Sequence, residues 1–464
     1  MTQLPHGDSD QRDVAALLAV LERELDAAPQ DPLLHRAVAE AKGAHGDELG
    51  QLAHSAAAQI LEAYADGSQS GPPIDLCNIA TGYFMKGDND AAARWYRLVL
   101  MLEPNFAIAY LNLTSIHSSA GRNAEAETCR RRAYQIQRVY VESDGNPLRR
   151  VLILLVGRGP GNVPIEILLP TRTCSRIKYV LDYAADEEDG RLPPFDLVFN
   201  AIGEPDVAAP LADRLARFAE RCGRPLLNPP SAVARTRRHG LAALLGDLED
   251  VVAAPCLPVA CPPASRAALA DLLAAAGIGF PLLSRPAASH GGEGLLRCES
   301  IEALETMLRA CSGTHYLSTF CDYRSADGYY RKYRMIFVDR EPFPYHLAIS
   351  PQWMVHYHTA GMESLPWKIA EEQRFLQDPG AALGARAMAA VAAIGRRLDL
   401  DYGGIDFALL PNEKIFVFEA NSTMLVHGQR KNGPLVHKNP YVQRIVDAVE
   451  RLLARRCSGP QSLD

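Results

Sequence analysis

Residues 402–422, YGGIDFALLPNEKIFVFEANS, read as strand, turn and strand. Leu409 and Leu410 precede Pro411-Asn412-Glu413, and Ile415-Phe416-Val417-Phe418 follow. A hairpin centred on Asn412-Glu413 sets Asp406 opposite Glu419 and Gly404 opposite Asn421. Directly opposed carboxylates repel and destabilise a strand pair, so their placement here calls for a reason. Side chains alternate along a strand. Glu419 and Asn421 therefore share the face of Asp406, and Phe416 and Phe418 point to the other face, into a core. An exposed hairpin with hydrated acids is the plain alternative, but it does not explain why polar groups converge where the apolar residues run on into Met424-Leu425-Val426. A divalent cation between the acids turns repulsion into attraction. Magnesium takes oxygen ligands, with one or two carboxylates and the remainder from water and substrate phosphate.

The chain has 464 residues, too many for one core, and its length suggests roughly three domains. With 48% apolar and 22% charged residues it has the composition of a soluble globular protein. The net charge of −7, with both signs interspersed, argues against a nucleic-acid partner. The first 13 residues lack a basic start followed by an apolar run, and the longest apolar runs, such as VLILLV at 151–156, are far shorter than the roughly 20 residues that cross a bilayer. The expectation is a cytoplasmic protein with no membrane partner. Ten scattered cysteines form no Cys-x-x-Cys pair and read as buried or idle thiols; Cys256 and Cys261 come nearest.

The first 143 residues are helical and repetitive. Shifting LCNIATGYFMKGDNDAAARWYRLVLMLEP (76–104) by 34 aligns Leu76 with Tyr110, Ile79 with Leu113, Tyr83 with His117 and Ala92 with Ala126, and puts Gly87 on Gly121 in the turn. Residues 33–66 form a weaker copy, with HGD at 45–47 where the next has KGD at 86–88, and GSQSGPP at 67–73 breaks the spacing. A period of 34 with a small residue at the helix contact resembles the tetratricopeptide repeat; an irregular helical bundle is the alternative. Stacked repeats leave a concave surface that suits a peptide or small protein.

After the linker DGNPLRR (144–150), strand–helix alternation through VLILLVG, FDLVFNAIG and RPLLNPPS indicates a small α/β domain over 150–235. The glycines of GRGPGN (157–162) fit no phosphate-binding fingerprint, and Pro160 and Pro164 oppose a helix start, so this is a plain loop. Residues 236–464 make a third domain. In it, 264–320 runs helix, strand FPLLSRP, loop AASHGGEG, strand LLRCE and helix; strands HYLSTF, YRKYRMIFVD and PFPYHLAIS, an Ala-rich helix over 380–398, the hairpin and a last helix over 440–455 follow. Glycines let backbone N–H groups close over phosphate, and Arg285, just before the loop, is placed to meet an anion.

This order of parts resembles the ATP-grasp superfamily over residues 150–455, with IDFALLPNEKIFVFEANS as the most specific match. The fold class expected is α+β multidomain: tetratricopeptide-like helical repeats, then an α/β pre-ATP-grasp domain and the ATP-grasp fold. The resemblance implies that Asp406, Glu419 and Asn421 hold one or two Mg2+ ions on ATP. It implies that Arg285, where the family usually has Lys, contacts phosphate, that Ser289, Gly291, Gly292 and Gly294 form a phosphate lid, and that Thr319 and Phe320 hold adenine mainly through backbone. Arg334 would stabilise charge developing on phosphate and acyl oxygens; which of Arg331, Lys332 and Arg334 face the site stays open.

For the acceptor side, His346, His427, Arg430 and Lys431 are candidate substrate contacts, and His356 and His358 share a face if their segment is extended. The chemistry implied is an ATP-dependent, ADP-forming carboxylate–amine ligase acting through an acylphosphate, on a peptide or protein substrate recruited by the repeats. A kinase phosphorylating a hydroxyl, or a non-catalytic scaffold that senses ATP, are the alternatives. A homodimer is a further expectation.

Overall fold

The computed structural model describes residues 7–68, 73–158, 161–287, 289 and 291–458. Residues 1–6, residues 69–72 of the 67–73 insertion, Pro160, and Ala288 and His290 of the glycine loop lie outside the described residues. The chain divides into two compact units, Met1–Arg138 and Val139–Asp464. The α+β class expected from sequence is present: helices alone in the first unit, mixed sheets and helices in the second. Among the described residues, no helix is long and apolar enough to cross a membrane.

The first unit contains α1 (Gly7–Ala27), α2 (Pro32–Ala44), α3 (Glu48–Ala65), α4 (Ile74–Met85), α5 (Asn89–Leu102), α6 (Ala107–Ser119) and α7 (Asn123–Ile136). Three of its turns repeat one hydrogen-bond pattern. After α4 the Gly87 N–H donates to the Phe84 carbonyl (3.0 Å) and the Asp88 N–H to the Tyr83 carbonyl (3.1 Å); Gly46 and Asp47 after α2, and Gly121 and Arg122 after α6, do the same. This helix stop requires one left-handed residue, and Gly46, Gly87 and Gly121 supply it at φ +85°, +84° and +71°. The aspartates of the HGD and KGD triplets then start the next helix: Asp47 accepts from the Gly50 N–H and Asp88 from the Ala91 N–H. Ala92 and Ala126, at matching places, are buried. Leu61, Leu76, Tyr96, Val99, Leu113 and Ile116 fill the core beside Ala57, Ala80 and Ala92.

That core also holds two histidines. His35 and His54 meet Nδ1 to Nδ1 at 2.9 Å, and their rings lie 5.6 and 4.9 Å from Trp95. Burial, and for His54 the facing His35, pushes both below the usual imidazole value, His54 to about 3. Between pH 6.5 and 3 the unfolded chain therefore binds a proton that the folded chain refuses, and stability falls as pH falls through that window. In a Trp353→Phe/Trp367→Phe background, denaturation followed by Trp95 fluorescence should show a loss of about 2 kcal/mol between pH 7 and 5, smaller in His54→Leu; a flat response would contradict the burial argument.

The second unit carries three sheets. The first contains β1 (Val139–Glu142), β2 (Arg149–Leu155), β3 (Cys174–Val180), β4 (Leu197–Asn200) and β5 (Leu226–Leu227) in the order β1-β3-β2-β4-β5, parallel except for β1. Val139–Glu142 thus belongs to this sheet, and the helical unit ends near 138 instead of 143. The other strands are β6 (Val251–Ala253), β7 (Cys256–Cys261), β8 (Leu282–Pro286), β9 (Leu296–Cys298), β10 (Gly313–Thr319), β11 (Tyr330–Val338), β12 (Glu341–Ser350), β13 (Tyr402–Leu409) and β14 (Ile415–Asn421). They make an antiparallel sheet β7-β10-β8-β9 and a sheet β12-β11-β13-β14-β6. Along β11, Tyr333, Met335 and Phe337 enter one core, whereas Ile336 and Val338 enter another that includes Ile445, Val449 and Leu452 of the last helix, Asn439–Ser458.

Asn228 ties the first sheet to the third. At φ +51° it turns the chain after β5; its carboxamide oxygen accepts from the Asp401 and Tyr402 N–H groups at 3.0 and 2.9 Å, and its carboxamide nitrogen donates to the Tyr402 carbonyl at 2.8 Å. These bonds set where β13 starts.

The hairpin has the register read from sequence at its open end: Gly404 faces Asn421 and Asp406 faces Glu419. At its closed end the register differs. Glu413 sits at φ +63° and Leu410 pairs with Lys414, so the loop has three residues, Pro411–Glu413, instead of two. A bulge between Asp406 and Phe407 absorbs the offset. Bulges re-aim side chains, and Phe416 and Phe418 line the same cavity as Glu419 instead of pointing away from it.

Candidate functional site: a charged cavity between two sheets

A cavity of about 230 Å3 lies between the β7-β10-β8-β9 sheet and the β12-β11-β13-β14-β6 sheet, with six charged residues in its wall: Arg238, Arg285, Lys332, Arg334, Asp406 and Glu419. Four of the strands place one row across the third sheet: His346 on β12 faces Arg334 on β11, Arg334 faces Asp406 on β13, and Asp406 faces Glu419 on β14. The positive charges beside the facing acids come from three guanidiniums and one ammonium. Arg334 grips Asp406 with two bonds, Nε to Oδ1 at 2.6 Å and Nη2 to Oδ2 at 2.9 Å, and Lys332 Nζ stands 3.3 Å from Oδ2. Arg238 Nη1 donates to Glu419 Oε2 at 2.8 Å, with Arg285 Nη1 3.7 Å from the same oxygen.

Burial alone raises a carboxyl pKa. For Asp406, only 2% exposed, Arg334 and Lys332 outweigh burial and hold the group well below the usual carboxylate range. For Glu419, burial and the facing Asp406 push upward, but Arg238, Arg285 and Lys332 together outweigh them, and the net shift is again downward. Burial and the neighbouring Arg238 lower Arg285. Both acids are therefore charged, and four cations against two carboxylates leave the wall with an excess of two positive charges.

Lys332 and Arg334, two apart on β11, face the cavity together. Arg331 points to the other side, where it pairs with Asp327 and Glu371. Arg238, the first residue of the helix Arg238–Leu245, is absent from the sequence-based candidates. Its only sequence signal is the basic run RTRR at 235–238 ahead of an apolar helix.

The oxygens of Asp406 and Glu419 are the hard donors that a divalent cation such as Mg2+ takes, and they stand in the wall of a cavity built for negative charge. Asn421 differs: its Oδ1 accepts from the Thr423 N–H and Oγ1–H at 2.6 Å each, and it is not part of the wall. Among the described residues there is no cluster of three or more His, Cys, Asp or Glu that could hold a metal ion. The chain thus offers two carboxylates, and further ligands would come from a bound anion and water.

The glycine loop divides by task. Gly291 and Gly292 line the cavity at φ +62° and +81°. A Cβ at Gly294 would meet the Pro286 ring at 2.8 Å, so that glycine serves the hairpin and not the wall. Ser289 also lies outside the wall: its hydroxyl donates to the Pro286 carbonyl at 2.7 Å, and Arg285 donates to its carbonyl. Thr319 and Phe320 line the cavity, but the Phe320 N–H is taken by the Pro281 carbonyl (3.0 Å) and cannot read a base. The Phe320 ring stands edge-on to Trp353 at 5.5 Å with the Arg297 guanidinium 4.3 Å from its centre.

The acceptor candidates separate. His346 is buried behind Arg334; burial, then Arg334, drives its pKa well below 6.5, and its Nε2 is a buried nitrogen with no hydrogen-bond partner among the described residues. His427 is bound through Nδ1 to the Tyr345 hydroxyl at 3.0 Å. Arg430 and Lys431 are exposed and outside the wall. His356 and His358 do not share a strand face, because residues 351–361 form turns and not a strand; His356 lines the cavity.

Among solved structures, the chain is similar to D-alanine–D-alanine ligase from Bacillus anthracis complexed with ATP, at 12% identity and a TM-score of 0.41 over 67% of this chain and 98% of that one. It is similar to the ATP-grasp ligase PsnB complexed with precursor peptide PsnA2 and AMPPNP, at 13% identity and a TM-score of 0.36 over 66% and 100%. It is also similar to a RimK domain ATP-grasp protein from Sphaerobacter thermophilus, at 17% identity and a TM-score of 0.38 over 65% and 99%. No family model and no curated protein matches the chain.

Breaking a buried ion pair strands the partner. Asp406→Asn should cost about 3 kcal/mol in urea unfolding, and Asp406→Asn/Arg334→Met should recover part of that loss. Equal losses in the two variants would contradict the pairing.

Proposed function

We propose that the protein is an ATP-dependent ligase that joins a carboxylate to an amine through an acylphosphate. The observation that supports this most is one cavity wall that combines four cations, two ionised carboxylates and two left-handed glycines. Arg238 and Arg285 would bind the phosphates, their planar forks suited to bidentate contact where a lysine offers a point charge. Gly291 and Gly292 would let backbone N–H groups approach the same oxygens. Asp406 and Glu419 would hold Mg2+, which when bound offsets phosphate charge. The apolar part of the wall, including Leu241, Leu283, Leu295, Phe320 and Phe416, would take the base.

The carboxylate oxygen of the first substrate attacks the terminal phosphorus, the bond to the bridging oxygen breaks, and ADP leaves. Arg334 and Lys332, already poised at Asp406, would shift weight onto the negative charge that builds on the transferred group. The amine then attacks the acyl carbon, the C–N bond forms, phosphate leaves and one proton passes to solvent or a base. The chain's contribution is positioning and charge.

The repeats would recruit a peptide or small protein. Leu33, Ile74 and Ile108, each 13 residues before its turn glycine, start α2, α4 and α6 and remain 70%, 57% and 44% exposed. An exposed apolar residue recurring at the same place on every second helix suits an extended peptide.

ADP release should be stimulated when an amino acid is supplied with a carboxylate-bearing peptide, and mass spectrometry of the product should show the mass of a condensed residue. Glu419→Gln should lower turnover at least about 100-fold. A product that gains phosphate alone, or full turnover by Glu419→Gln, would overturn the ligase reading.

A further inference from the structure

Opposite the glycine loop, the cavity mouth is formed by residues 353–356, of which Trp353, Met354, Val355 and His356 line the wall. The two segments meet closely. A Cβ placed on Gly291 would lie 3.3 Å from His356 Nε2, and one on Gly292 would lie 3.9 Å from the Met354 sulfur. Yet residues 351–361 belong to no strand or helix, so their position must be imposed by tertiary contacts.

One is direct, the Tyr323 hydroxyl donating to the Trp353 carbonyl at 2.6 Å, and a second runs through the residue after His356. The Tyr357 hydroxyl donates to Glu372 Oε2 at 3.1 Å. Glu372, fully buried on the helix Pro366–Gln377, also accepts from the Leu347 N–H of β12 at 3.2 Å. His437 Nε2 lies 3.0 Å from its Oε2, and Lys438 Nζ lies 4.0 Å from Oε1 and 3.9 Å from the centre of the Tyr357 ring. One buried carboxylate thus joins four pieces of chain: β12, the helix, the 436–438 turn and the mouth segment. Among the described residues, Tyr357 is the partner through which Glu372 reaches the mouth segment. A fully buried acid with this many polar partners is fixed in place, because a buried polar atom that loses its partner is costly.

We propose that Glu372 is a positioning residue for the nucleotide cavity: through the Tyr357 hydroxyl it helps to hold residues 353–356 as the counter-face to Gly291 and Gly292. It touches no reacting group and acts through a segment that does. This deepens the nucleotide reading above and rests on it for the ligand, though not for the anchoring.

The test uses the full chain with Trp95→Phe and Trp367→Phe, so that Trp353 alone reports. Tyr357→Phe keeps the ring against His346 and Lys438 and removes only the hydroxyl. It should weaken MgADP binding about 10-fold and raise acrylamide quenching of Trp353 in the nucleotide-free chain. His437→Asn is the control: it takes a partner from the same carboxylate without touching the mouth, and should leave MgADP affinity within about 2-fold of the parent. Parental affinity and quenching in Tyr357→Phe, or an equal loss of affinity in His437→Asn, would overturn the positioning role. A parent chain that fails to bind MgADP would overturn the nucleotide reading, and the quenching comparison would still decide the anchoring.

Discussion

Asp406, buried, and Glu419, half-buried, face each other across β13 and β14, and two isolated acids in that position would not both stay ionised. They do so because Arg334 and Lys332 stand beside one and Arg238 and Arg285 beside the other. The arrangement is a row of charges whose partners come from strand β11, strand β8 and the start of a helix. Such pairs add little net stability over an apolar wall. What they supply is a fixed set of donors and acceptors whose positive excess is a standing attraction for a polyanion, and whose acids keep open the option of a divalent cation.

A few contacts in the second unit aim that row. The Asn228 bonds fix the start of β13, and Ser422, just past β14, donates to the Gly203 carbonyl at 2.8 Å. The bulge at Asp406/Phe407 lets β14 present Phe416, Phe418 and Glu419 to one cavity, so that an apolar bed lies next to a charged end. Opposite, Gly291 and Gly292 meet a mouth segment with no regular structure of its own, which Tyr323 bonds directly and Glu372 anchors through Tyr357.

The sequence made the helical repeats and the carboxylate pair legible for the same reason: both rest on local periodicity. Gly87 and Gly121 recur because a helix stop needs a left-handed residue, and Asp406 meets Glu419 because pairing across a hairpin follows from its turn. The parts that escaped depend on contacts distant in the chain. Arg238 reads as one of several surface arginines until the fold brings it to Glu419, 181 residues away. Glu372 sits mid-helix with nothing in its neighbours to announce a buried acid. Asn421 was plausible as a ligand by spacing, yet Asn side chains readily bond the backbone two residues on, and here Thr423 takes its oxygen. The bulge was hidden because Glu413 adopts a left-handed turn position that its residue type does not advertise.

The most direct test of the charged row as a magnesium–nucleotide site is a calorimetric titration of ADP into the full chain, with Mg2+ in one experiment and excess EDTA in the other. Two carboxylates that share a metal with the phosphates predict saturable binding with Mg2+ and a loss of at least about 10-fold in affinity without it. Equal affinity in the two titrations would mean that Asp406 and Glu419 serve only to hold the arginines, and no binding in either would remove the nucleotide from the account altogether.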